Sequence, residues 1–297
     1  MQRITLSDCL SFSRIIYGLW RYTDDPKASK KNLHHKIETC LQQGITTFDQ
    51  ADIYGGYKSE ALLGQTLKQA PHLRQQIEII TKCDIVAPIG IHSDKKVKYY
   101  DTSAQYINHA VERSLTDMNI EQIDLLLLHR PDPLMDAMET GITLDAIVAS
   151  GKVKAIGVSN FRPWDIELLQ SCTKNKLVTN QIEINLHHHS ALTNGDLAYM
   201  QQHSISPMAW SPLAGGDLFK NPQSLLNKKL NALAKVYGAQ PAAIAIAWLL
   251  MHPTKILPIM GSNNIQRIEQ FSEALKIQLD RQTWFELLQA ACGHEVA

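Results

Sequence analysis

Apolar and polar positions follow two alternating rhythms along the chain. Eight short apolar runs read as strands: RIIYGLW (14–20), ITTFDQA (45–51), IEIITK (77–82), DLLLLH (124–129), KAIGVSN (154–160), TNQIEIN (179–185), SPMAWSP (206–212) and KILPIMGS (255–262). Between them apolar residues recur at helical steps: Leu33, Ile37 and Leu41, then Ile107, Val111, Leu115 and Met118, then 242–251, and finally Ile265, Ile268 and Leu275. The four leucines of DLLLLH run on without alternation, the pattern of a strand covered on both faces of a parallel sheet. Eight strand-helix units in roughly 250 residues match a single (β/α)8 TIM barrel, while a doubly wound open sheet shares the same alternation. Ahead of the first strand, weak alternation at Ile4, Leu6, Leu10 and Phe12 predicts a β-hairpin over residues 1–13 that caps the barrel bottom. No composition shift or Pro/Gly/Ser-rich linker divides residues 1–297, so one domain is expected.

Composition narrows the function classes. Twenty-nine basic side chains balance 29 acidic ones, so no electrostatic footprint for nucleic acid or an anionic membrane is visible. The first residues lack the apolar core of a signal peptide, and no run of about 18 apolar residues exists to span a bilayer. Cys9, Cys40, Cys83, Cys172 and Cys292 are scattered and contain no C-x-x-C pair, which argues against a disulfide framework or zinc site and fits a reducing cytoplasm.

On a barrel, every strand opens at its C-terminal end onto one face, so residues distant in sequence meet there. The exits carry Trp20, then Asp49 with Tyr54 a few residues on, Lys82, His129, Ser159 and Asn160, Gln181, Trp210 and Ser211, and Gly261 with Ser262. In ITTFDQADIYGG, Asp49 and Asp52 also suit an ordinary role as Asx-turn residues. If Tyr54, Lys82, His129 and Asp49 converge, however, they make a proton donor. The ammonium is expected to lower the phenol's pKa from about 10, the carboxylate to hold the ammonium, and the imidazole to orient a substrate oxygen. No serine elbow or cysteine-histidine pair supplies a nucleophile, which leaves a cofactor's hydride. The chain contains no G-x-G, so a dinucleotide must bind other than by the open-sheet fingerprint.

The stretches FDQADIYGG, TK (81–82), LLLLHRPDP, GKVKAIGVSNF, NQIEIN, AWSPLAGG and PIMGSNNIQRIEQ resemble, in order and spacing, the aldo-keto reductase superfamily, and most of all its bacterial YdhF-like branch. The resemblance implies a NADPH-dependent reductase of aldehydes or ketones, with Tyr54 as general acid, Lys82 and Asp49 tuning it, and His129 orienting the carbonyl. It implies that Ser159, Asn160 and Gln181 hold the nicotinamide carboxamide and that Trp210 stacks on its ring. Ser211, Leu213, Gly215 and Gly216 would lie along the pyrophosphate, with Ser262 and Arg267 at the adenosine 2′-phosphate. Gly261 stands where many members carry lysine, so NADP(H) is expected with NAD(H) as a poorer second cofactor. Trp20 is the candidate substrate-binding aromatic. A cofactor-binding redox sensor with little turnover is the alternative that the resemblance leaves open.

Three features stand outside this scheme. In an extended segment His187, His188 and His189 point to alternating faces, so a polar loop is expected there and no metal. Segment 84–101 is long for a connection and reads as either a substrate lid or a solvated insertion. The stretch 131–141 is a second candidate substrate loop. The motifs specify neither the individual carbonyl compound nor an oligomeric state.

Overall fold

The computed structural model describes residues 1–296. Its central strands close into a parallel barrel in chain order: Ile16–Gly18, Thr47–Asp49, Glu78–Cys83, Ile123–Leu128, Val153–Ser159, Leu177–Glu183, Met208–Trp210 and Leu257–Met260. Each falls within, or within two residues of, one of the eight apolar runs, and closure decides for the barrel over the open sheet. Ile123–Leu128 is buried at every position because its two faces meet different layers, barrel interior and outer helices.

The predicted hairpin forms from Arg3–Ser7 and Leu10–Ser13, with Ile4 opposite Phe12. Its side chains Ile4, Leu6, Leu10 and Phe12 pack with Ile16, Ile80, Leu125 and Leu257 from inside the barrel. Each large apolar side chain removed from water in this way contributes about 1.5–3 kcal/mol.

The outer helices begin and end where local chemistry dictates. Ser103 caps Ala104–Met118 by accepting from the Tyr106 backbone N–H, and Asn119 ends that helix in a left-handed conformation at φ 53°. Gly64 lets helix Ser59–Gln69 touch it, since a Cβ at Gly64 would lie 2.0 Å from the Asp117 carbonyl oxygen. One expected helix divides in two. Ile265–Ile268 is a single turn, followed by a 3-10 stretch, Phe271–Lys276, and Ile268, Phe271 and Ala274 turn inward at three-residue steps that suit the tighter winding.

Segment 84–101 is a small hairpin, Ile85–Val86 against Tyr99–Tyr100, with a 3-10 turn at Gly90–His92. The turn is docked: a Cβ on Gly90 would come within 2.3 Å of the Gly56 carbonyl oxygen, while Lys96 and Lys98 at the tip stay exposed. Among the described residues, no single helix is long and apolar enough to cross a membrane.

Candidate active site

Strand register determines which groups meet at the barrel mouth. Asp49 pairs with Gly18 on one side and Ile80 on the other, which aims its carboxylate at Lys82, two residues further along the neighbouring strand. Lys82 is fully buried, and its Nζ donates to Asp49 Oδ1 at 2.7 Å, Asp49 Oδ2 at 2.8 Å and the Gln50 carbonyl at 2.8 Å. Tyr54 Oη lies 3.1 Å from the same nitrogen and 3.5 Å from Asp49 Oδ2. The His129 ring stands edge-on to Tyr54, 6.0 Å between centroids. Tyr54, Lys82, Asp49 and His129 therefore do gather.

The electrostatics differ from the expected lowering of the phenol's pKa. Burial, together with the Asp49 carboxylate, pushes Tyr54 well above the ordinary phenol range. Asp49 reaches both partners, so the ammonium's charge is largely answered before it acts on the phenol. Lys82 itself is pushed down by burial, with Asp49 opposing. His129 is held well below the usual histidine range by burial and by the Lys82 and Arg130 cations, so it is a neutral imidazole at physiological pH. Its Nδ1 is buried without a hydrogen-bond partner.

The residues expected around a nicotinamide form one chain of contacts with this cluster. Gln181 Nε2 donates to Asp49 Oδ1 at 2.8 Å. Ser159 Oγ donates to the Gln181 carbonyl at 2.8 Å, and Asn160 Nδ2 donates to Ser159 Oγ at 2.9 Å and to the His129 carbonyl at 3.2 Å. Trp210 Nε1 donates to Asn160 Oδ1 at 3.0 Å, which fixes the indole's rotation. The loop after the seventh strand winds through left-handed backbone at Ser211, Ala214, Gly215 and Gly216, while Leu213 packs on the core. At the eighth exit, Gly261 is exposed, Ser262 Oγ accepts from the Asn264 N–H at 3.1 Å, and Arg267 is exposed. Among the described residues, no ion pair engages Arg267 and no hydrogen bond links Trp20 or Arg267 to the Tyr54 cluster. Trp20 is half exposed, with the Arg21 guanidinium 4.8 Å from its ring centre.

A model of the aldo/keto reductase family matches residues 14–291. The chain belongs to the aldo/keto reductase family. Over 297 residues, the full length of both chains, it is 60% identical to a 6-dehydroglucose reductase of Agrobacterium fabrum. It is 40% identical to the oxidoreductase YdhF of Escherichia coli, covering 100% of this chain and 99% of that one, which places it in the YdhF-like branch. Among solved structures it shares its fold with an aldo/keto reductase from Klebsiella pneumoniae in complex with NADP and acetate: TM-score 0.78, 24% identity, 96% of this chain and 92% of the other covered.

Two arginines of this aldo/keto reductase escaped the motif reading. Arg130 directly follows His129; its backbone N–H donates to Asp84 Oδ2 at 3.1 Å, and its Nε is buried without a partner. Arg21 packs against the seventh-strand loop, 3.1 Å from where a Gly215 Cβ would lie, and its carbonyl accepts from Asn263 Nδ2 at 2.8 Å. Neighbourhood to His129 and to Trp20 was the only signal in sequence. The three consecutive histidines do not converge: the His188 ring faces Glu183 at 3.5 Å, the His189 ring faces Cys292 Sγ at 3.6 Å, and His187 and His188 both donate their backbone N–H to Asn185 Oδ1. Among the described residues, no group of three or more His, Cys, Asp or Glu is placed to hold a metal.

Proposed function

We propose that this chain reduces an aldehyde or ketone to an alcohol at the expense of NADPH, with Tyr54 donating the proton. The observation that carries the reading is the 3.1 Å contact of Lys82 Nζ with Tyr54 Oη, on an ammonium that Asp49 pins from the other side. A bound reduced dinucleotide supplies the hydride that the carbonyl carbon requires. The protein's own groups attend to the oxygen. Tyr54 keeps its proton at neutral pH, so it is a donor that acts only when a neighbouring oxygen gains negative charge. Lys82 then stabilises the phenolate that remains, and neutral His129 offers one N–H to the same oxygen without adding a competing full charge.

Several local features suit a dinucleotide. Asn160 Oδ1 retains a lone pair after accepting from Trp210, and Gln181 retains its side-chain carbonyl, which leaves acceptors for a carboxamide beside Ser159. The Trp210 ring, fixed by Asn160, would face the nicotinamide. Gly216, at φ 98° with nothing within 4 Å of its Cβ position, leaves room for backbone to approach a pyrophosphate along Ser211, Leu213 and Gly215. Arg267 and Ser262, beside Gly261, would hold a 2′-phosphate through a guanidinium fork. Asn264 already caps the single turn Ile265–Ile268, so the arginine and serine, and no helix terminus, carry that selectivity.

The name of the Agrobacterium relative directs the substrate choice to hydroxylated aldehydes, of which a sugar oxidised at C6 is the first candidate. The test is steady-state oxidation of NADPH with sugar aldehydes, simple aldehydes and ketones. Turnover of order 1 per second or faster on one class supports the reading. Turnover below about one per minute on every carbonyl, with NADPH still bound, would replace it by the redox-sensor alternative.

A further inference from the structure

The turn that carries Tyr54 is closed by three backbone hydrogen bonds, Tyr54 N–H to the Ala51 carbonyl, Tyr57 N–H to that of Ile53 and Lys58 N–H to that of Tyr54, but its backbone is of an unusual kind. Gly55, Gly56 and Tyr57 follow one another in left-handed backbone at φ 60°, 63° and 66°, and a Cβ on Gly56 would touch nothing within 4 Å. For tyrosine that conformation is strained, so the surroundings must impose it.

Both ends of the turn are gripped by one side chain from behind the sheet. Two residues before Tyr54, Asp52 is buried; its backbone N–H donates to the Lys82 carbonyl at 3.0 Å and its Oδ2 accepts from Arg113 Nη2 at 3.0 Å. Three residues after Tyr54, the Tyr57 ring lies 5.5 Å from the same guanidinium. The Tyr57 hydroxyl donates to the Ile85 carbonyl at 2.9 Å and accepts from the Ala87 N–H at 3.0 Å, so it is bolted to the docked hairpin as well. Glu60, the other buried acid nearby, has both oxygens committed to hydroxyls, Thr81 at 2.5 Å and Ser114 at 3.0 Å, which leaves Arg113 to Asp52. Arg113 extends from helix Ala104–Met118, which Gly64 brings against helix Ser59–Gln69.

We propose that Arg113 is a positioning residue for the reaction, holding the Tyr54 turn at both ends through Asp52 and Tyr57 so that the phenol stays in register with Lys82 and Asp49. The claim rests on Tyr54 being the proton donor. Asp52, which reads from sequence as an Asx-turn residue, is the link through which a helix on the outside of the barrel reaches chemistry on its inside. A hydroxyl displaced by about 1 Å loses its contact with the ammonium, which costs rate while leaving dinucleotide binding intact.

The test compares Arg113→Lys with the double substitution Arg113→Met and Asp52→Asn, which removes the cation and its acid partner together and so leaves no buried acid unpaired. The readouts are thermal midpoint, amide hydrogen exchange over residues 53–57, kcat, and Kd for NADPH. The double variant is expected to melt near the parent, to exchange over 53–57 about tenfold faster, and to lose about 10- to 100-fold in kcat with Kd within about twofold. Placed in a Tyr54→Phe background, the same pair should change kcat by less than about twofold, because there is no longer a phenol to position. Arg113→Lys keeps the charge but not the planar face over Tyr57, so it should fall between. Unchanged kcat and unchanged exchange in either folded variant would overturn the proposal, as would a kcat loss of the same size without Tyr54. If the parent itself proves not to reduce carbonyls, the exchange measurement still decides: protection of 53–57 that survives loss of Arg113 removes the grip.

Discussion

The two mouths of the barrel are closed by opposite means. At the N-terminal mouth, Phe12 and its neighbours fill the space with hydrocarbon, and the buried charges beside the plug, Arg14 and Asp124, are answered by backbone carbonyls and by Arg74 and Lys154. At the C-terminal mouth, Lys82, Asp49, Gln181 and Ser159 are as deeply buried, and each is satisfied by another polar group. The same strands serve both ends, so the contrast lies in the residues that face inward near each end. Apolar closure is favourable by itself, whereas burying an ammonium and a carboxylate has to be offset by their mutual contact. A buried charge cluster of this kind at one end is what makes that end the candidate active site.

Substitutions can break this contrast from either side. The largest effect is expected at the apolar mouth: Phe12→Ala should destabilise the fold by about 3–5 kcal/mol in chemical denaturation, with kcat per folded molecule unaltered. A matching loss of kcat would mean that the plug also shapes the site. At the polar mouth, Tyr54→Phe should do the reverse, lowering kcat at least about 100-fold while the melting temperature and NADPH affinity stay close to the parent. Equal activity would remove the phenol from the mechanism. Arg267→Ala should raise Kd for NADPH about tenfold and barely change Kd for NADH. An unaltered ratio of the two constants would put the 2′-phosphate elsewhere.

The smallest and most graded effect is with pH. Burial pushes Asp52 up from 3.8 to about 8, with Glu60 adding to the rise and Arg113 and Lys82 opposing it. Burial likewise pushes Glu60 up from 4.5 to about 7, with the Thr81 and Ser114 hydroxyls and Arg113 opposing. Both folded carboxyls hold protons that the unfolded chain has released, so stability falls as pH rises from about 4 to about 8 and levels off above that window. The slope is at most about 1.4 kcal/mol per pH unit for each extra proton. Melting temperatures across pH 5–9 should fall less steeply in Asp52→Asn than in the parent. Identical slopes would show that Asp52 titrates in the fold much as it does in the unfolded chain.

Much of this architecture was legible from residue pattern. All eight strands, the capping hairpin and the meeting of Tyr54, Lys82, Asp49 and His129 follow from runs such as DLLLLH and ITTFDQA, because a parallel barrel sends every strand exit to one face. What the pattern missed is equally specific. It offered Asp52 no role beyond a turn or the acid chemistry of the exit, took the phenol as lowered, and left 84–101 as either lid or solvated loop. In the fold, Asp52 is paired with Arg113, 61 residues away, the phenol is raised, and the segment is docked on Gly56.

The division has one physical cause. Periodicity and the residue types at strand exits are local properties, and local sequence determined the barrel, its polarity and the identity of the side chains that meet at its mouth. Ionisation, backbone strain and the grip on the Tyr54 turn depend on how far water is excluded and on which groups distant in the chain share the space. Those quantities come into being only when helix Ala104–Met118 closes over the third strand and the carboxyls beneath it lose their solvent.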